Sequence, residues 1–147
     1  LAMQVWPQTY TPILGPEQVK YMLNKFYTPV ALLSQMQDAG HQFIIGSHGG
    51  EPVAFASWSQ TEPGIYKLHK IYIIPGRQGK GIGRSLLSFI VASIRAKQAT
   101  HLRLNVNIYN TPAKAFYEKA GFTHLADEDI DIGGGYFMND HILSLAL

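Results

Sequence analysis

The sequence predicts a mixed α/β domain, a central twisted mixed sheet of about six strands flanked by about four helices. Three observations carry that expectation. Residues Ile71 to Leu87 pass from a β-branched strand through Pro75-Gly76 and a glycine-rich turn directly into an amphipathic helical pattern. From Gln42 onward, short apolar or alternating runs recur between turn residues, as strands do. Helical spacing of apolar residues precedes the first of these runs and separates the later ones. At 147 residues, the chain is expected to form a single domain over residues 1–147.

Taken in order, residues 1–14 carry Trp6, Tyr10, Ile13 and Leu14 in a Pro-broken context and predict a loop or short helix. Pro16 suits a first helical turn and Glu17 its positive end. Val19, Met22, Leu23, Phe26 and Tyr27 follow with helical spacing; Pro29 interrupts, and Val30, Leu33 and Met36 resume the pattern until Gly40. Residues 42–47 and 52–59 predict a hairpin around His48-Gly49-Gly50-Glu51. After the Glu62-Pro63-Gly64 turn, Tyr66–Ile74 reads as a strand buried on both faces. Gly81–Gln98 is a helix with Ile82, Leu86, Phe89, Ile90 and Ile94 as its buried stripe. His101–Asn107 alternates as a strand. Thr111–Ala120 is a short helix with Pro112 at its start and Gly121 beyond its end. Residues 124–132 and 136–145 flank Gly133-Gly134-Gly135 as a closing hairpin.

Composition narrows the function classes. With 46% hydrophobic and 15% charged residues, the chain is neither disordered nor fibrous in type. A net charge of +2 without a Lys/Arg run gives no reason to expect a nucleic-acid partner. No apolar run approaches the roughly 18 residues of a membrane span. Leu1 opens no signal-like segment, so a cytoplasmic enzyme without membrane partners is the expectation. The absence of cysteine excludes disulfides and thiol catalysis. His41, His48, His101, His124 and His141 show no metal-type spacing, so no metal is expected.

The glycine-rich turn predicts a phosphate or pyrophosphate site. Gly79, Gly81 and Gly83 let backbone N–H groups converge on a ligand, and the helix that follows adds unpaired donors and its positive dipole end. Arg77, Lys80 and Arg84 add positive charge. A Walker A loop would need Ser or Thr after Lys80, where Gly81 stands. The Rossmann fingerprint needs G-x-G-x-x-G, whereas residues 79–83 run G-x-G-x-G.

What fits is Gln78-Gly79-Lys80-Gly81-Ile82-Gly83, read as (Q/R)-x-x-G-x-(G/A). A second constellation follows a strand later: Asn110, Ala113, Phe116, Tyr117, Gly121 and Phe122, spaced as N-x-x-A-x-x-F-Y-x-x-x-G-F. In both, the sequence resembles the GCN5-related N-acetyltransferases (GNAT superfamily). The Ile71-Tyr72-Ile73 strand and Asn139–Leu143 are similar to the branch that includes spermidine/spermine acetyltransferases. The resemblance implies the GNAT fold and acetyl-CoA as cosubstrate. It implies transfer to a primary amine in a ternary complex, the amine belonging to a small molecule such as a polyamine. It also implies that the helical pair after Pro16 walls the acceptor pocket, beside the plainer reading of that pair as core. A homodimer that pairs or exchanges the C-terminal strand is one solution such a family offers. The family usually opens with a β-strand; none is read here, so that strand is expected to be missing or truncated.

Residue by residue, the resemblance assigns the pantetheine arm to the backbone of Ile71 and Ile73, with a neighbouring N–H polarising the thioester carbonyl. It assigns the pyrophosphate to the amides of Gln78, Gly79, Lys80, Gly81, Ile82, Gly83 and Arg84. Asn110 would bond the CoA arm, and Tyr117 would protonate the departing thiolate. Plainer readings stand beside these: Asn110 as a helix N-cap and Tyr117 as a core aromatic beside Phe116.

An amine with a pKa near 10.4 must be deprotonated to attack, costing roughly 4–5 kcal/mol at pH 7. His69 is the candidate base, because alternation places 67, 69, 71 and 73 on one strand face. A merely packed or exposed His69 is the competing reading; Glu51, Glu62 or no dedicated base are the others. Asp127, Asp129 and Asp131 would attract a cationic amine from the cleft side of their strand, or else form a solvated edge. A CoA-binding regulatory domain and an acceptor at a peptide N-terminus remain the alternatives to small-amine acetylation.

Overall fold

The computed structural model describes residues 1–147. Its elements are α1 (Ala2–Leu14), α2 (Pro16–Phe26), α3 (Pro29–Gln37), β1 (Gln42–His48), β2 (Glu51–Glu62), β3 (Ile65–Ile73), α4 (Ile82–Arg95), β4 (His101–Asn107), α5 (Thr111–Lys119), β5 (Thr123–Gly133) and β6 (Tyr136–Ala146). The six strands form one sheet in the order β1-β2-β3-β4-β6-β5. It is mixed: β3 and β4 are parallel, while β1 with β2, β4 with β6 and β5 with β6 are antiparallel. No helix is long and apolar enough to cross a membrane.

The five helices exceed the four expected, and the extra one is α1. Pro7 and Pro12 lie inside it, and each removes a backbone donor, so propensity argues against a helix here. Burial overrides propensity: Val5, Trp6 and Tyr10 form a buried stripe. Thr28 caps α3, its hydroxyl accepting from the Ala31 N–H at 3.1 Å with Pro29 in the first turn. The apolar period of α3 does not mark a buried face, however. Val30, Leu33 and Met36 are 79%, 52% and 44% exposed.

The chain divides into two compact units, residues 1–59 with 69–90, and residues 60–68 with 91–147. In the first, successive residues of β3 serve two different cores. Ile71 and Ile73 pack with Val53, Ala54 and Leu86, beside Ile82 at the start of α4. Tyr72 instead joins Trp6, Tyr10 and Phe55, with ring centroids 6.0, 6.4 and 5.4 Å away. Burial raises the pKa of Tyr72 and Tyr27 well above the ordinary phenol value, so both hydroxyls stay neutral at physiological pH. In the second unit, β4 buries Leu102 and Leu104, which face Leu145 and Leu143 across the β6 ladder. Gly121, at φ +105°, ends the α5 passage; a Cβ there would lie 3.3 Å from Leu145.

β5 is one of the two edge strands, β1 being the other, and it is exposed from Thr123 through Asp129. Asp127, Asp129 and Asp131 thus sit where charge keeps a free edge from pairing with other chains.

Candidate functional site

The ladder between β3 and β4 pairs only Ile65–Leu68 with His101–Leu104, although β3 continues to Ile73. The last five residues of β3 lie beyond that pairing, and Ile71 and Ile73 are among them. Their side chains are committed to the α4 core, so what they can offer a ligand is backbone. The Ile73 carbonyl already accepts from Gln78 Nε2 at 3.2 Å, a bond that folds the loop back onto the strand end.

The loop has the conformation that glycine permits. Gly76, Gly79 and Gly81 have φ of +88°, +77° and +79°. A Cβ built on Gly79 or Gly81 would meet nothing within 4 Å. Backbone conformation, rather than crowding by the protein, therefore requires glycine at these positions, and the space in front of them is open. α4 begins at Ile82, so the N–H groups of Ile82, Gly83 and Arg84 have no acceptor within the helix. Lys80 and Arg84 are exposed around this end. Arg77 is partly occupied, lying 3.8 Å from Glu51 and 3.4 Å from His48 Nδ1. A groove of about 500 Å³ runs beside the loop, lined by Lys80, Gly81, Ser85, Phe89 and residues of β1.

His69 is half-buried and held in place: its Nε2 is 2.7 Å from Ser59 Oγ, and its ring stacks on His41 at 3.8 Å and 8°. These contacts orient the imidazole. They also make it a packed side chain in part, as the competing reading has it. Glu51 is tied to Arg77, and Glu62 sits exposed at the end of β2.

The residue missed in the sequence is Lys70. It is 7% exposed, its ammonium lying 4.8 Å from the Tyr27 ring centroid and 5.1 Å from that of Phe43 and donating to Gln35 Oε1. Burial lowers its pKa to about 8. The available signal was alternation, which sets Lys70 with Tyr66, Leu68 and Tyr72 on an apolar face. Between about pH 8 and the ordinary lysine value near 10.4, the unfolded chain holds more protons than the folded one, so this group makes stability rise with pH. In urea denaturation of wild type and Lys70→Met, the difference should therefore move in favour of wild type from pH 7 to pH 9.5. A difference that stays flat would show an ordinary amine.

In the second unit, Asn110 caps α5. Its Oδ1 accepts from the Ala113 N–H at 3.4 Å, while its backbone N–H donates to the Asn107 carbonyl at 2.9 Å. Nδ2 is left to point elsewhere. Tyr117 lies seven residues along the same helix, about 10 Å in rise. It is buried at 8% exposure between Phe116 and Phe122, with centroids 5.3 and 5.6 Å away. Each unit thus gathers its own sequence-predicted residues: His69, Ile71, Ile73 and Gln78–Arg84 in the first, Asn110 and Tyr117 in the second.

A family model described as the acetyltransferase (GNAT) family matches residues 3–122. An uncharacterised N-acetyltransferase of Mycobacterium tuberculosis is 23% identical over 143 residues, covering 97% of this chain and 91% of that protein. Streptothricin acetyltransferase of Streptomyces lavendulae is 29% identical over 99 residues, covering 67% of this chain and 50% of the relative. A mycothiol acetyltransferase of Acidothermus cellulolyticus is 33% identical over 99 residues, but only 30% of its length is covered, against 63% of this chain. Among solved structures, the PaiA N-acetyltransferase from Thermoplasma acidophilum in complex with coenzyme A superposes with a TM-score of 0.83 at 23% identity, covering 99% of this chain and 88% of that one.

Proposed function

This chain belongs to the acetyltransferase (GNAT) family, and we propose that it transfers the acetyl group of acetyl-CoA to a primary amine of a small molecule, by direct attack in a ternary complex. Membership makes it an acyltransferase with acetyl-CoA as its acetyl donor. One observation carries the reading further: β3 outruns its ladder with β4 and leads into a loop of positive-φ glycines at a helix N-terminus. Edge backbone suits an amide-bearing arm. Convergent loop amides suit a pyrophosphate. The residues present fit such a cosubstrate.

In this proposal the backbone of Ile71 and Ile73 binds the arm, and the amides from Gln78 to Arg84 hold the pyrophosphate with help from the Lys80 ammonium. Asn110 bonds the arm through Nδ2, its Oδ1 being engaged at the helix cap. Acetyl-CoA supplies an activated thioester carbonyl. A β3 N–H donates to the carbonyl oxygen as charge develops there, an effect worth about 3–4 kcal/mol in sites of this type. The amine nitrogen forms the new C–N bond and the C–S bond breaks. Tyr117 gives its hydroxyl proton to the departing sulfur, and His69 receives the surplus proton of the amine. Without cysteine the chain has no thiol for a covalent acyl-enzyme. Relatives named for streptothricin and mycothiol support a small-molecule acceptor.

The test is acetyl-CoA turnover, followed as thiol release, against a panel of amines that includes spermidine and a peptide with a free N-terminus, with CoA affinity measured alongside. Turnover with a small amine is the expected result. Turnover with the peptide alone would move the acceptor to protein N-termini. CoA binding with no turnover on any member would favour a CoA-binding regulatory domain, and failure of folded protein to bind CoA would overturn the site.

A further inference from the structure

The β5–β6 hairpin carries a side-chain cluster that acetyl transfer does not use. His124 and Asp127 are three residues apart, and on a regular strand they would point to opposite faces. β5 is not regular there. Its register runs His124 opposite Leu143, then Ala126 opposite Ile142 and Asp127 opposite His141, so Leu125 has no partner. This bulge inserts one residue and returns His124 and Asp127 to a single face. Leu125 itself is 52% exposed, so burial of its side chain does not account for the bulge. Asp127 lies directly across the ladder from His141, where cross-strand side chains meet.

The result is two imidazoles converging on one carboxylate oxygen. His124 Nε2 is 2.8 Å and His141 Nδ1 is 2.5 Å from Asp127 Oδ1. The three donor atoms lie within 4.8 Å of one another. The rings are nearly perpendicular, at 78° with centroids 5.3 Å apart, so they approach the carboxylate from different directions. Two imidazole nitrogens and one carboxylate oxygen form a donor set for borderline divalent ions such as Zn²⁺, Co²⁺ and Ni²⁺. Mg²⁺ and Ca²⁺ prefer shells of oxygen. Bonds of about 2.0–2.1 Å place tetrahedral donors about 3.3 Å apart, so each imidazole draws back from Asp127 Oδ1 by less than about an ångström, while the two imidazole nitrogens, within 4.8 Å of each other, close by up to about 1.5 Å. Side-chain exposures of 48% for His124 and 64% for Asp127 leave room for that movement.

We propose that His124, Asp127 and His141 form a surface site for a late first-row divalent metal ion, with a fourth coordination position open to solvent. An ion there ties the edge strand β5 to β6. Spacing along the chain does not reveal the site, because the hairpin register and the bulge assemble it.

The probe is Zn²⁺ alone, titrated calorimetrically into tag-free full-length protein stripped with chelator and dialysed. One ion per chain is expected. His124→Ala, His141→Ala and Asp127→Asn should each weaken binding by about tenfold or more, the scale of lost metal-site interactions, with folding checked by circular dichroism. His101→Ala, whose ring bonds Thr100 outside the cluster, should bind as wild type does. Zn²⁺ should raise Tm in wild type and in His101→Ala, but not in the three cluster variants. Absence of a binding isotherm would overturn the site, leaving only a hydrogen-bonded His–Asp–His bridge. Binding that persists in both histidine variants, or is lost in His101→Ala, would overturn it equally.

Discussion

Tyr117→Phe is expected to lower acetyl-CoA turnover by about 10²–10⁴-fold, the range for loss of a general acid, with CoA affinity unchanged. The substitution suits the question because it removes one oxygen and keeps the ring. Tyr117 packs between Phe116 and Phe122 at 8% exposure, and Phe preserves both contacts. If the residue served only as a core aromatic, Tyr117→Phe would keep its turnover. If it protonates the departing sulfur, turnover falls while CoA affinity holds and the protein remains folded. Running turnover, CoA binding and thermal melting on the same preparations separates the two outcomes. A Phe variant with undiminished turnover would remove Tyr117 from the mechanism.

Leu104→Ala should carry the largest stability loss among single core truncations, about 2–5 kcal/mol. For a chain of this size that corresponds to a drop in Tm of roughly 5–15 °C. Leu104 is 1% exposed on β4, opposite Leu68 on one side and Leu143 on the other. Truncation leaves a cavity at that crossing, and three paired backbones cannot collapse into it easily. Leu125→Ala removes the same atoms from the exposed bulge of β5 and should change stability by no more than about 0.5 kcal/mol. Comparable losses in the two variants would contradict the assignment of the core to β4.

The sequence by itself determined the order and type of nearly every element from Pro16 onward, because each is punctuated locally. Pro16, Pro29 and Pro112 open helices. The glycines at 49–50, 64 and 133–135 all take positive φ at turns, and alternation marks β3 and β4. The glycine-rich loop was legible for the same reason: positive φ at Gly79 and Gly81 and a helix start at Ile82 are short-range properties. So was the capping role of Asn110, set by its position before Thr111-Pro112.

What only the tertiary structure decided lies at longer range. α1 forms despite Pro7 and Pro12 because Val5, Trp6 and Tyr10 find a buried face, and burial is not encoded within the segment. Periodicity in α3 promised a core face, yet Val30, Leu33 and Met36 stay exposed; a period says which residues share a side, not what covers it. Alternation separated His69 from Lys70, but it could not say that Lys70 would be enclosed by Tyr27, Phe43 and Gln35. The fate of a side chain on a strand face depends on elements distant in sequence. The meeting of His124, Asp127 and His141 is the plainest case, since it requires both a hairpin register and a one-residue bulge. Local chemistry is written in the order of residues, whereas convergence of distant side chains depends on packing, and the physical reason is that only burial of the whole chain selects one register and one cover for each face.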